Sequence, residues 1–315
     1  MMHTPTFMRT YGPSADPITS LGWTLTLIAL AVIAIVSILL LTGLFRRRPA
    51  RTSNTEIERS PGNTRSIYIG TAISVVILLF AFVQTMRVLA AESAPAHTPS
   101  IEVHVIGHQW WWEVRYSDRS GANGFVTANE IHIPVGHPVR VMLETRDVIH
   151  SFWVPQLAGK TDLIPGRRNS TWIQADSAGT FLGICGEYCG LQHAHMQLTV
   201  VAEDPAAFRA WWGRQIASRT PPDKPEIANG ERAFVANCSS CHQVRGSGAA
   251  GVIGPDLTHI MSRSTIAAGT LPNTRGALAG WISNPQRIKP GTIMPQIPLS
   301  SADLHSIIGY LESLN

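Results

Sequence analysis

Cysteine is sparse in this chain: four residues in 315, at positions 185, 189, 238 and 241. So few thiols exclude the disulfide-dense class of small secreted module. A bridge within either close pair would shut a very small loop and stabilise little, so two short disulfides account poorly for them. Charge is missing from residues 21–45 and 66–86. Each uncharged stretch is long enough to cross a hydrocarbon core as a helix. Net charge is also missing outside the segment between them. There Arg46, Arg47, Arg48, Arg51, Arg59 and Arg65 stand against Glu56 and Glu58, and six minus two gives +4, the net charge of the whole chain. The remainder sums to zero, so the basic balance reports membrane orientation and excludes a nucleic-acid partner. Internal repeats and low-complexity tracts are absent, which excludes a solenoid.

An arginine-rich loop at 46–65 belongs on the cytoplasmic side. Residues 1–20 then form an outer tail, residues 21–92 a two-helix transmembrane hairpin, and everything beyond lies on the periplasmic or extracellular face. The twenty residues before Leu21 lack the basic region and apolar core of a cleaved signal, leaving the first span as a signal anchor.

Residues 97–218 alternate apolar and polar, as at Ile131, Ile133, Val135 and again at Val139, Val141, Leu143, with Pro and Gly between the runs. This pattern predicts an antiparallel, all-β Greek-key sandwich. It closes on a short helical segment carrying Phe208, Trp211 and Trp212, and a stiff Pro-rich linker follows at 219–225. Residues 226–315 read as an all-α unit. A helix over 226–237 leads into the second cysteine pair, and the last helix is capped by Ser300, carries Asp303 in its first turn, and presents Leu304, Ile307, Ile308 and Leu311 as one apolar stripe.

The string CGEYCGLQHAHM at 185–196 offers two thiolates, two imidazoles and a thioether within twelve residues. Soft ligands in that number select copper over magnesium, calcium or manganese. A structural zinc site would accept two Cys and two His, but its usual spacing pairs His with His. A thioredoxin-type copper chaperone would need βαβ units that the strand-rich region does not offer. A further imidazole must come from another strand, and His150 in DVIHSFWVP follows an apolar run. Spacing alone leaves His193 and His195 equivalent. Of Trp110, Trp111 and Trp112, a regular strand would turn the first and third one way and the second the other, which suits core packing.

CSSCH at 238–242 is the haem c attachment pattern: two thioethers from one helical turn, with His242 held under the iron. A thiol redox helix would need a preceding strand and no histidine. The sixth ligand must be a distant soft donor, Met294 or Met261, and Met261 suits core filling. Thioether ligation raises the haem potential.

Cys185, Glu187, Cys189, Gly190, His193 and Met196, with His150 in its DxxHS context, resemble the CuA centre of cytochrome c oxidase subunit II. GHQWWW at 107–112 and KTDLIPGR at 160–167 extend the resemblance from the first span to about Trp212. GPDL at 254–257 and the Met-Pro pair in KPGTIMP are similar to class I cytochromes c, which place the axial methionine there and so favour Met294.

The resemblance implies a multidomain protein: a transmembrane hairpin, a cupredoxin-like sandwich and a fused class I cytochrome c domain, anchored in a bacterial plasma membrane. It implies a dinuclear copper A held by His150, Cys185, the Glu187 carbonyl, Cys189, His193 and Met196. It further implies a covalent haem c on Cys238, Cys241, His242 and Met294, and a magnesium or manganese ion at the Glu187 carboxylate, shared with subunit I. Trp110 becomes the candidate electron-entry residue.

Electrons would enter at haem c, cross to copper and leave for the haem of subunit I, where oxygen is reduced to water and protons are pumped. Neither span contains a histidine, so the oxygen site itself would lie on that partner. Subunit III, membrane lipid and an electron donor, either a soluble or membrane cytochrome c or another protein, complete the implied partners. Residues 97–219 carry ten basic and eleven acidic groups and residues 220–315 seven and six, so no strong electrostatic steering of the donor is predicted. Nitric oxide reduction by a related complex, or copper delivery during assembly, are the alternative roles. In one respect the sequence departs from the pattern: the start of the second span, 63–68, has Arg65 and no carboxylate for proton uptake, with Glu56 and Glu58 as weak substitutes.

Overall fold

The computed structural model describes residues 2–3, 6–46, 64–117 and 124–315. Arg47, Arg48, Arg51, Glu56, Glu58 and Arg59 lie outside the described residues. The chain divides into two compact units, residues 17–94 and the remainder.

The first unit is built on helices α1 (Asp16–Phe45) and α2 (Thr64–Glu92). At about 1.5 Å per residue, both exceed the thickness of a hydrocarbon core. They continue past the uncharged stretches, so that Asp16, Arg65, Arg87 and Glu92 fall near their ends. No residue of either helix is buried within the protein. Leu, Ile, Val and Phe side chains exposed on all sides suit lipid as the surrounding medium.

The second unit holds a β-sandwich. One sheet takes the order β4 (Phe125–Ala128), β3 (Trp111–Ser117), β2 (Ile101–His108), β6 (Val139–Thr145), β9 (Asn169–Ile173). The other runs β5 (Glu130–Pro134), β11 (Gln197–Glu203), β10 (Gly179–Cys185), β7 (His150–Trp153), β8 (Thr161–Leu163), and the short β1 (Met2–His3) also pairs with β10. Val103, Val105, Val114, Ile131, Ile133, Val141 and Val200 fill the space between them.

The sheets are mixed rather than wholly antiparallel. β2 runs parallel to β6, β5 to β11 and β1 to β10. Turn residues and alternation announce local hairpins, whereas these pairs join strands that are distant along the chain.

Strand β5 departs from the predicted alternation, because all five of its residues are buried. Its inner face meets the sandwich core, and its polar face is also covered. The helix α3 (Pro205–Ile216), capped by Asp204, stacks Trp211 on His132 with ring centres 4.1 Å apart. Glu130 accepts from the backbone N–H and hydroxyl of Ser264 at 3.1 and 2.8 Å.

Beyond the proline-rich segment, α4 (Pro225–Cys238) packs against the last helix, and between them come the small hairpin β12 (Thr265–Ile266) and β13 (Leu271–Pro272), then α5 (Arg275–Ser283) and α6 (Pro285–Ile288). The last helix, α7 (Ser301–Glu312), is capped by the Ser300 hydroxyl, which accepts from the Asp303 N–H at 3.0 Å. Ile307, Ile308 and Leu311 are buried, with Leu304 packed at the edge of the same core.

Candidate functional site

The first cluster sits where β10 returns to β11. Cys185 ends β10, and its N–H bonds to the Met196 carbonyl at 3.1 Å, so the twelve-residue loop 185–196 closes on itself and presents its side chains to one point. The two sulfurs lie 3.7 Å apart. This is far beyond a disulfide bond of about 2.05 Å, and all four cysteines are free. Cys185 Sγ is 3.9 Å from His150 Nδ1 and 3.2 Å from the Glu187 carbonyl oxygen. Cys189 Sγ is 3.6 Å from His193 Nδ1 and 3.8 Å from Met196 Sδ. Two sulfurs therefore stand at the centre, each flanked by an imidazole nitrogen. Six donors exceed the four that a structural zinc takes, and the soft set fits copper.

His195 is turned to other work: its Nδ1 bonds to the Gln192 side chain at 2.8 Å. This places His193, not His195, beside the sulfurs.

The wholly buried His150 is aimed from behind. Its Nε2 bonds to Asp147 Oδ1 at 2.7 Å, and a carboxylate can only accept, which leaves Nδ1 as the ligand atom facing Cys185. Asp147 also accepts the N–H groups of Gln109 and Val148, both at 2.7 Å. Although burial works to raise its pKa, these bonds and His150 hold its carboxyl below the ordinary range. Gly107 makes room for the ring, since a Cβ there would stand 2.7 Å from His150 Cδ2. The two thiols shift in opposite directions. Cys185 is held well below the usual thiol range, first by the Cys189 S–H, then by His150 against the cost of burial; Cys189 moves up, through Cys185 and burial. The Glu187 carboxylate is half-exposed and accepts from Lys160 at 3.0 Å, which also pairs with Asp162 at 2.8 Å.

The second site is a cavity of about 390 Å³ in the helical unit, lined by Cys238, Cys241, His242 and Met294 with an apolar wall that includes Leu278, Trp281 and Ile307. The N–H groups of Cys241 and His242 both bond to the Cys238 carbonyl, at 3.1 and 3.0 Å, which sets both cysteines on one turn. His242 Nδ1 donates to the Pro255 carbonyl at 2.8 Å, leaving Nε2 as the free ligand atom. Burial lowers its pKa, keeping the imidazole neutral as ligation needs. Gly254 lies against the ring, where a Cβ would come within 2.6 Å of Cε1. Met261 packs on the helical core, and it is Met294 that lines the cavity. A large apolar cavity with two thiols, one oriented imidazole and one thioether fits a covalently attached haem.

The two sites meet at Trp110. This residue lies in the turn between β2 and β3, not on a strand, so the expected alternation of the three tryptophans holds only for Trp111 and Trp112. Trp112 is buried in the sandwich core, and Trp111 stacks on His108 with ring centres 4.4 Å apart. Trp110 lines the haem-sized cavity and donates its indole N–H to the Cys189 carbonyl at 3.0 Å. Gln109 Nε2 donates to the same carbonyl at 2.7 Å.

Asp147, Gln109 and the buried Lys289 were not evident as functional residues in the sequence. Asp147 had a signal, its spacing of three before a ligand-type histidine. Lys289 and Gln109 had none, because their partners are far along the chain.

Residues 122–203 match the family model for the periplasmic domain of cytochrome c oxidase subunit II, and residues 227–315 match that for cytochrome c. The chain is 35% identical over 298 residues to cytochrome c oxidase subunit 2 of Alkalihalophilus pseudofirmus, covering 92% of this chain and 84% of that protein. It is 29% identical over 289 residues to the subunit of the same name from Bacillus sp. strain PS3, covering 86% and 80%. Among solved structures, the periplasmic domain of subunit II of cytochrome oxidase from Bradyrhizobium japonicum is 30% identical and covers 38% of this chain and 96% of its own, with a TM-score of 0.36.

Proposed function

Since this chain belongs to the cytochrome c oxidase subunit 2 family, we propose that it receives electrons at haem c, passes them to a dinuclear copper A, and delivers them to the haem of subunit I. Membership itself implies association with subunit I in a haem-copper oxidase, and a membrane anchor suits the two apolar helices. The cytochrome c unit implies haem c, and the subunit II domain implies copper. The relay is our reading of how these parts work together.

When bound, the two centres supply one-electron redox chemistry. The chain's own residues hold and orient them. His150, Cys185, Cys189, His193, Met196 and the Glu187 carbonyl are assigned to copper, with Asp147 fixing the tautomer of His150. Cys238, Cys241, His242 and Met294 are assigned to haem. The observation that carries the relay is the position of Trp110, whose ring lines the haem cavity while its N–H rests on the backbone of Cys189. One side chain thus spans the gap between the centres.

On this reading the arginine loop is cytoplasmic, both redox units lie on the opposite face, and oxygen reduction with proton pumping takes place on subunit I. The half-exposed Glu187 carboxylate is assigned to a magnesium or manganese ion shared with that subunit, checked by metal analysis of the intact complex carrying Glu187→Gln. Arg65 opens the second span without a carboxylate, which argues against proton entry through this chain.

Rapid reduction of the purified complex by a cytochrome c donor tests the relay. Haem c should be reduced first and copper second, with oxygen consumed and no nitrous oxide formed. Copper reduced at full rate in protein lacking haem c would contradict it.

A further inference from the structure

Lys289 is one of three lysines in the chain and is 2% exposed. A buried ammonium is tolerated when its protons are all bonded. Here each has an acceptor: the carbonyls of Trp110 at 2.7 Å, His195 at 2.7 Å and Ala267 at 3.0 Å. These belong to three separate segments. Trp110 is in the turn before β3, His195 is in the copper loop, and Ala267 is in the β12–β13 turn of the haem-binding unit.

The surrounding contacts have the same sense. Ala267 and Ala268 both adopt positive φ, 53° and 57°, a conformation unfavourable for alanine unless the surroundings hold it. The turn directs two successive carbonyls at the sandwich: Ala267 toward Lys289, and Ala268 toward the Gln197 N–H at 3.0 Å. Gln192 Nε2 donates to the Pro290 carbonyl at 2.9 Å. A Cβ added at Gly291 would lie 3.4 Å from the Trp110 ring. The copper loop is therefore gripped by the segment leading to Met294, through residues that ligate no metal.

We propose that Lys289 is the positioning residue that seats the haem-binding unit on the Trp110 turn and the copper loop, so that electron transfer within the chain proceeds in one fixed arrangement. This rests on the relay proposed above. Two units joined by a short linker are otherwise expected to move relative to each other. With the clamp in place, the cytochrome unit does not swing on its proline-rich tether between a donor position and a copper position.

The test uses the full chain carrying both cofactors. A light-activated external reductant injects an electron at haem c, and the subsequent transfer to copper is followed optically. In the wild type this rate should stay constant as glycerol raises the viscosity. A rate that falls in proportion to viscosity would mean a moving domain and would overturn the proposal. Lys289→Met keeps an unbranched apolar stem and loses the amino group with all three donors. Its transfer rate should fall by about tenfold or more, as expected for a small misplacement of reacting centres, while the haem potential and the copper spectrum stay unchanged.

The Gln197 amide should also exchange with deuterated water at least about tenfold faster in that variant, because its partner Ala268 is no longer held. A Lys289→Met chain with wild-type transfer rate and wild-type amide exchange would reject the role. If the variant fails to fold, the milder Lys289→Arg, which keeps the charge but cannot place three donors in the same geometry, takes its place with the same two readouts, and a viscosity-dependent wild-type rate still overturns the proposal. Absence of any haem-to-copper transfer in the wild type would sink the relay itself, a result distinct from a relay that is present but viscosity-dependent.

Discussion

The indole N–H of Trp110 donates to the carbonyl of Cys189 at 3.0 Å, while the ring of Trp110 forms part of the wall of the haem-sized cavity. Trp110→Phe keeps an aromatic ring and removes the donor and part of the bridge. Cys189 retains the bond from Gln109, so the copper loop should hold its shape. We expect haem-to-copper transfer to slow by about tenfold with both optical spectra unchanged. An unchanged transfer rate would remove Trp110 from the path.

Asp147 touches no sulfur, yet it fixes which nitrogen of His150 faces Cys185. Loss of such an outer partner typically costs about 10–100-fold in metal affinity. Asp147→Ala should lower copper retention by that factor in chelator competition while leaving haem attachment intact. Wild-type retention would show that burial alone orients His150.

Gly254 sits where a Cβ would press on His242 Cε1 at 2.6 Å. The ring is fixed by its bond to Pro255 and cannot retreat freely. Gly254→Ala should therefore cost about 1–3 kcal/mol, as overpacking does, and should perturb the haem ligation spectrum with Cys238 and Cys241 still attached. The copper spectrum serves as the internal control; a change confined to copper would contradict the placement.

How stability responds to pH should depend on His132. Burial opposes its charge, but Glu130 at 3.0 Å and Glu203 at 3.1 Å outweigh this and raise its pKa above the ordinary 6.5. Burial likewise opposes the Glu130 charge, and His132 and Ser264 outweigh it, so its pKa is lowered. The raised histidine contributes stability that is complete below 6.5 and is lost as pH rises through its higher folded value. The lowered carboxylate contributes stability present above its ordinary value of 4.5 and lost as pH falls through its lower folded value. The thermal midpoint of the haem-binding and copper-binding unit should decline as pH rises from 6.5 through the folded value of His132. In His132→Gln this decline should be reduced; an equal decline in that variant would assign it to another group.

Much of the site was legible because its chemistry is local in sequence. Cys185 to Met196 closes a single loop, and Cys238 to His242 occupies a single turn, so ligand types and spacing pointed to a copper and a haem site, and the family resemblance supplied the full ligand sets. His150 was found by its place after an apolar run. Spacing left His193 and His195 open and only the family resemblance favoured His193; in the structure His195 bonds to Gln192 and His193 stands beside Cys189. In the fold, the capped final helix carried its full signal in Ser300 and its apolar stripe.

What remained hidden is non-local. The parallel pairing of β5 with β11 leaves no mark at a turn. The polar residues of β5 alternate as if facing water, but Trp211 and Ser264 cover His132 and Glu130. Lys289 reads as an ordinary surface cation until the backbone of Trp110, 179 residues away, is brought to its ammonium.

The most direct test of the account is quantitative copper and haem analysis of the purified chain combined with its paramagnetic resonance spectrum. Two coppers and one covalently attached haem per chain are predicted, with the unpaired electron of the oxidised copper centre shared between both ions. One copper per chain with a localised signal, or cystine at either cysteine pair in the metal-loaded protein, would contradict it.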